Sequence, residues 1–226
     1  MKNKLIIVGD SPFAEIAYEY FTHDSNYEVV AFSVEDKFLT KKVLFGLPII
    51  PFESIDQKYS PNEYQIFVAI TYTQLNRLRA RLCIEASKKG YKLATYVSSK
   101  AFIWNNVTIG ENCFIFEDNT IQPFVQIKNN VILWSGNHIG HHSTINSNCF
   151  ISSHVVVSGF CDIGENSFIG VNSTLANNLT IAQDNWIGPG VCITHSTKKG
   201  QLYSPIENPP SKVSTYRFFK ILENEV

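Results

Sequence analysis

The stretch VTIGENCFIFEDNTIQPFVQIKNNVILWSGNHIG, residues 107–140, decides the fold. Ile109, Ile115, Ile121, Ile127, Leu133 and Ile139 stand six apart within it. The series runs on in both directions, from Val97 and Ile103 to Ile145, Ile151, Val157, Ile163, Ile169, Leu175, Ile181, Ile187 and Ile193. Two places ahead of the aliphatic residue stands a mostly small one, as at Ala101, Cys113, Asn119, Asn137, Ser143, Cys149, Cys161, Ser167 and Ser173. Glycine recurs just after the aliphatic position, at Gly110, Gly140, Gly164, Gly170 and Gly188. An α-helix of 3.6 residues per turn cannot hold every sixth residue on one face, whereas short strands that turn after each hexapeptide can. The repeat predicts a parallel β-helix, a solenoid with its aliphatic residues stacked inside in continuous ladders.

The residues before the repeat follow a different rule. KLIIVG reads as a buried strand, SPFAEIAYEYFTH as a helix with Ser11 at its cap and Pro12 in its first turn, and YEVVAFS as a second strand. YQIFVAI is a third strand, and TQLNRLRARLCIEASKKG is a helix whose apolar face carries Leu75, Leu78, Leu82 and Ile84, with Gly90 just past its end. Strand and helix in alternation predict a small parallel sheet with helices on its faces. The chain divides on this basis into a Rossmann-like domain over 1–94, a β-helix over 95–195 and a tail over 196–226. In the tail, Pro209-Pro210 break the repeat, and TYRFFKILENE reads as a short terminal helix.

Composition narrows the partners. Nineteen Lys and Arg against twenty Asp and Glu give a net charge of −1, with no basic surplus to attract a phosphate backbone or an anionic membrane. No apolar run approaches the length of a membrane span, so the expectation is a soluble, cytoplasmic protein that binds neither nucleic acid nor membrane. The five cysteines include no Cys-x-x-Cys pair and are expected to be reduced thiols used as small apolar filler. The first strand-to-helix turn, VGDSPFAE, lacks the three glycines of a dinucleotide fingerprint. A phosphate or nucleotide meeting Ser11 at the helix amino terminus remains open.

The hexapeptide ladder from Val97 to Ile193, with the α/β domain before it, resembles the left-handed β-helix sugar acyltransferases of the PglD/NeuD type. That resemblance implies a homotrimer that transfers acetyl from acetyl-CoA to a nucleotide-linked amino sugar, most simply a UDP sugar for lipopolysaccharide, capsule or another surface glycan. It implies a histidine general base within NHIGHHSTI, which the repeat register places at His141. An imidazole suits this work, because acetyl transfer needs the amine to lose a proton near neutral pH. A triangular cross-section, also implied, stacks residues eighteen apart, so Pro123, His141 and Gly159 share a column. The Gly159 amide could then meet the developing oxyanion, as the likeness of Ser158-Gly159 to the family's Ala-Gly motif also implies.

The cofactor arm is expected to run along the coils past Phe150, which stands where the family places a second histidine, toward Trp186, Gly188 and Gly190. Gly140 and His142 flank the base in place of a carboxylate, and Trp134 replaces an asparagine, so Asn137, His138 or His154 are candidates to supply the missing groups at the sugar. In the first domain the resemblance implies nucleotide-sugar contacts at Asp10, Ser11, Glu35, Asp36 and Thr71, although Pro12 and Phe13 stand where the family has glycine and histidine. Glu35-Asp36 read equally well as a polar turn. No metal is expected; a triad of His138, His141 and His142 across a symmetry axis is the alternative. Two further readings stand beside N-acetylation: a sialic-acid-type sugar O-acetyltransferase, and a trimeric scaffold that binds a nucleotide sugar without turnover.

Overall fold

The computed structural model describes residues 2–221. Its first half contains β1 (Asn3–Val8), α1 (Pro12–His23), β2 (Tyr27–Val34), β3 (Val43–Leu44), β4 (Leu47–Pro51), α2 (Ile55–Lys58), β5 (Tyr64–Val68), α3 (Arg77–Lys88) and β6 (Lys92–Leu93). The sheet order is β3-β4-β2-β1-β5-β6, parallel except for the β3–β4 pair. Leu5, Ile6, Ile7 and Val8 are all buried because helices cover both faces of the sheet, which is why β1 reads as an unbroken apolar run.

Ser11 and Pro12 begin α1 as the sequence predicts, but the Ser11 side chain makes no capping hydrogen bond. The second long helix differs more. Gln74, Leu75 and Asn76 are left-handed, so α3 starts at Arg77, and its buried face is Arg79, Leu82, Cys83 and Ala86. Ile84, expected on the apolar face, is 56% exposed. The i, i+3, i+4, i+7 stripe is present, but an arginine occupies one of its four places.

From Tyr96 onward each ladder residue is the second residue of a two-residue strand, and residues eighteen apart pair in parallel, as in Phe114 with Ile132 and His138 with Val156. The strands form three sheets around an interior of Ile115, Ile121, Ile127 and their successors: the left-handed parallel β-helix. The outward residues of the first face, Tyr96, Phe114, Ile132, Phe150 and Phe168, are apolar because the first domain packs on them through Phe13, Ala17 and Phe21 of α1. The second face presents Thr120, His138 and Val156, and the third Gln126, Thr144 and Asp162.

Glycine follows the strand where the next coil passes too close for a side chain: a Cβ on Gly140 would lie 2.5 Å from the Ser158 carbonyl carbon, and one on Gly170 would lie 2.6 Å from the Pro189 nitrogen. Cys113, Cys149 and Cys161 are buried at the small position and Cys83 is buried in α3, whereas Cys192 points outward from the second face and is exposed. The filler role expected of all five cysteines therefore fails for Cys192, which occupies the first, outward place of its strand. Beyond the last coil, Leu202–Tyr203 rejoin the solenoid beside Trp186–Ile187. The terminal helix is α4 (Thr215–Phe219), and residues 222–225 of the expected helix lie outside the described residues. Among the described residues no helix is long and apolar enough to cross a membrane.

Candidate active site

Each coil turns its edges with a left-handed residue, and asparagine or aspartate usually fills the position, as at Asn112, Asp118, Asn130, Asn148, Asn166, Asn172, Asn178 and Asp184. Three successive coils depart from this at the edge between the second and third faces, before Asn178 restores it. Phe124, His142 and Phe160 hold successive left-handed positions there, with φ of 65°, 59° and 57°. Bulky side chains rarely accept that conformation, and both phenylalanines are more than half exposed. His142 is sandwiched between them, 4.5 Å from the Phe124 ring and 4.8 Å from the Phe160 ring.

His141 stands beside this stack, one residue closer to the preceding strand. The column expected of Pro123, His141 and Gly159 is present: the His142 N–H donates to the Pro123 carbonyl at 3.1 Å, and the Phe160 N–H to the His141 carbonyl at 2.9 Å. The His141 amide donates to Gln122 Oε1 at 2.9 Å. Its exposed imidazole lies over the Gly159 backbone, so that a Cβ on Gly159 would be 2.9 Å from both Cε1 and Nε2. The ring meets Phe160 edge-on at 5.0 Å, and its Nδ1 is 3.1 Å from His142 Nδ1. Among the described residues the Gly159 N–H finds no acceptor in the chain. An imidazole, a bare stretch of backbone and an amide donor without an acceptor among the described residues therefore share one open edge.

The other expected site residues are dispersed. His138 is half-exposed on the second face, on the strand leading to this edge. Asn137 is inside the coil, 1% exposed, donating to the Trp134 carbonyl and accepting from the Val155 amide at 2.8 Å, which corrects its expected role at the sugar. His154 lies over Gly136 at a different edge, between the first and second faces, and so does not join His141. Phe150 is 3% exposed in the wall between the domains, stacked on Phe168 at 5.6 Å, which rules out the expected cofactor contact. Trp186 continues that stack at 5.7 Å from Phe168, Gly188 is packed beneath Trp186, Tyr203 and Pro205, and Gly190 turns the edge that carries His154. These three also lie away from His141, because a strand's position within the eighteen-residue turn fixes its face. The column that does continue from Gly159 holds Asn177 and His195, both exposed. Stepping by eighteen from His141 finds them in the sequence. Among the described residues no three His, Cys, Asp or Glu side chains gather as metal ligands would.

In the first domain a cleft of about 300 Å³ opens beyond the carboxyl ends of β1 and β2, lined by Gly9, Asp10, Ser11, Glu35, Phe38 and Ile70. Gly9 has a φ of 132° and a Cβ there would lie 2.8 Å from the Ala69 carbonyl oxygen, so the turn admits no larger residue. Glu35 is not a free acceptor: Arg81 pairs with it at 2.9 Å and Lys37 at 3.6 Å, and the Arg81 hydrogen bond holds its carboxyl below the usual range. Asp36 is exposed at the start of a short 3-10 turn, its amide donating to Glu53. The Thr71 carbonyl is taken by the Arg79 guanidinium at 2.7 Å.

Arg79 is the residue that sequence reasoning missed. It is fully buried between the domains, with Nε on Asn130 Oδ1 at 2.8 Å, Nη1 on the Ile70 and Thr71 carbonyls and Asn76 Oδ1, and Nη2 on the Asn130 and Cys149 carbonyls. Desolvation pulls its pKa down to about 10, which still leaves it charged at neutral pH.

Residues 124–159 match the family model described as bacterial transferase hexapeptide (six repeats), and this span contains both His141 and Gly159. A comparison with curated protein sequences found no match. Among solved structures, the acetyltransferase domain of PglB from Neisseria gonorrhoeae is similar with a TM-score of 0.81 and 21% identity, over 90% of this chain and 97% of that one. PerB from Caulobacter crescentus, solved with CoA and GDP-perosamine, is similar with a TM-score of 0.80 and 21% identity, over 89% of this chain and 94% of that one. The chain thus shares the fold of these proteins over nearly its whole length.

Proposed function

We propose that this chain is an acetyl-CoA-dependent N-acetyltransferase acting on the amino group of a nucleotide-linked sugar. The observation that carries the reading is the His141 imidazole lying over the unsubstituted Gly159 backbone on an open edge of the coil. Support comes from the shared fold: the PglB domain was solved with acetyl coenzyme A, and PerB with CoA and GDP-perosamine, in forms that include replacement of a histidine by asparagine or alanine.

In this reading the sugar amine attacks the thioester carbonyl carbon, and His141 Nε2 accepts the amine proton as the C–N bond forms. The Gly159 N–H, which has no acceptor among the described residues, donates to the carbonyl oxygen as it gains charge. The C–S bond then breaks, the amide is released, and the proton passes to the departing thiolate to give CoA. No thiol nucleophile is invoked: Cys149 and Cys161 are interior and burial pushes both thiols up, Cys149 to about 12, while the exposed Cys192 lies three coils on from His138. The nucleotide belongs in the cleft at Gly9, Asp10 and Ser11. UDP is the nucleotide expected from the sequence, and GDP is the one in the PerB complex.

The exposed apolar residues along the second face and its edge, Phe102, Trp104, Phe124, Val156 and Phe160, favour a homotrimer that closes this edge against a neighbouring copy, which light scattering would weigh. A cytoplasmic site of action in surface-glycan assembly follows from substrates of this kind. The test is thiol release from acetyl-CoA over a panel of UDP-, GDP- and dTDP-linked amino sugars. Turnover with at least one member, reduced about 10²- to 10⁴-fold in His141→Ala, is expected. Undiminished turnover in the variant would remove His141 as base. Alkali-labile ester product, or binding without turnover, would favour the O-acetyl or scaffold reading.

A further inference from the structure

We infer that His142, clamped between Phe124 and Phe160, is a positioning residue that sets the tautomer of His141 and so makes it a base; this rests on His141 being the base of the proposed reaction. A neutral imidazole has one N–H and one lone pair. For His141 to take a proton at Nε2, next to Gly159, its own proton must reside on Nδ1. A proton there is stabilised by an acceptor, and among the described residues the polar atom in reach of His141 Nδ1 is His142 Nδ1, at 3.1 Å. The contact works in one sense only. If His142 carries its proton on Nε2, its Nδ1 lone pair accepts from His141 and frees His141 Nε2. The reverse arrangement places the His141 proton on Nε2 and blocks the base.

The surroundings hold His142 for this purpose. Its ring is stacked on Phe124 at 28° and on Phe160 at 17°, while His141 stands perpendicular to it at 89°. Three adjoining residues keep rings in the left-handed turn position that, elsewhere in the solenoid, asparagine, aspartate or glycine takes except at His154. Backbone strain of that kind is retained where the side chains themselves are needed. The sandwich fixes the plane of the His142 ring and therefore the direction of its lone pair.

Two substitutions separate the acceptor from the packing, and the same turn position already carries both replacement residues elsewhere in this chain. His142→Phe keeps a flat ring in the stack, as Phe124 and Phe160 do, but removes the acceptor. His142→Asp restores an acceptor with a residue found at Asp118 and Asp184. The readout is the side-chain ¹⁵N spectrum of each protein at a pH where imidazoles are neutral, with His141→Ala to assign the signals, together with kcat and KM where turnover is found. Wild type and His142→Asp are expected to show His141 protonated at Nδ1, and His142→Phe at Nε2. A fall in kcat of about 10-fold or more in His142→Phe is expected, with both KM values within about 2-fold of wild type and kcat recovered in His142→Asp. An unchanged His141 tautomer in His142→Phe, or a loss that appears in KM alone, would overturn the inference. If no amino sugar is turned over, the proposed reaction fails, but the spectra still decide what His142 does to His141.

Discussion

Gly140 and Gly159 belong to adjacent coils of one edge, yet they are glycines for different reasons. A Cβ on Gly140 would strike backbone, 2.5 Å from the Ser158 carbonyl carbon and 2.6 Å from the Gly159 nitrogen, so this position serves the coil. A Cβ on Gly159 would meet the His141 imidazole and nothing nearer, and Gly159 has no left-handed φ that alanine would resist. Gly159→Ala is therefore expected to fold with an unchanged melting temperature while displacing the His141 ring. A shift of even 1 Å in a reacting group costs on the order of 10²-fold, so kcat should fall by about that factor. A variant with normal kcat would mean the ring does not need to sit where it does. Both glycines could be singled out in the sequence, Gly140 as part of a repeat and Gly159 by stepping eighteen residues from His141. Only the packing tells them apart.

At the scale of elements, α1 shows how one helix serves two halves of the molecule. Phe13 and Phe21 face both the sheet and the solenoid, with centroids 5.6 and 5.8 Å from Phe114. The helix ends on Asp24, an unfavourable charge for a helix carboxyl terminus, where cations are preferred. The carboxylate is useful for another reason: it accepts from the Tyr96 hydroxyl at 2.6 Å and from the Ser99 amide at 2.9 Å, joining the helix end to the first coil. The Tyr96 hydrogen bond, with the Ser99 amide next, lowers the Asp24 pKa. A depressed carboxyl stabilises the fold above its unfolded value, ordinarily about 3.9, and that stability is lost as pH falls through the folded value. Melting temperatures followed against pH should show wild type above Asp24→Asn at neutral pH, with the gap closing in acid below about pH 4. A constant gap down to pH 2 would show that the charge on Asp24 contributes nothing. The α3 face was misassigned from sequence for a related reason: an arginine is counted as solvent-facing until its six hydrogen bonds are seen.

For the whole molecule, Arg79 is the group on which the two halves converge. It reaches carbonyls after β5, a side chain ahead of α3, and the backbone of two coils, and among the described residues it has no carboxylate partner. Arg79→Leu would leave those acceptors buried without donors, at a cost of about 3–5 kcal/mol, read as a lowered denaturant midpoint. An unchanged midpoint would show that the interface holds without the guanidinium. The sequence by itself determined the period: with every sixth residue aliphatic, the inward side of each strand and the coil architecture follow, because that repeat is written in neighbouring residues, whereas the His141–Gly159 column needs in addition three faces per coil, which the family resemblance implied and the strand pairing supplies. It also located α1 and the strands β1, β2 and β5, whose apolar runs are local. Only the tertiary structure decided what covers each outward face. Phe150 looks like a ligand contact until α1 and the Tyr72 ring, 5.1 Å away, are packed against its face. An outward phenylalanine does not by itself tell what covers it: Phe102 on the second face is 54% exposed and Phe150 on the first is 3% exposed, because only the first face packs against residues about a hundred positions away.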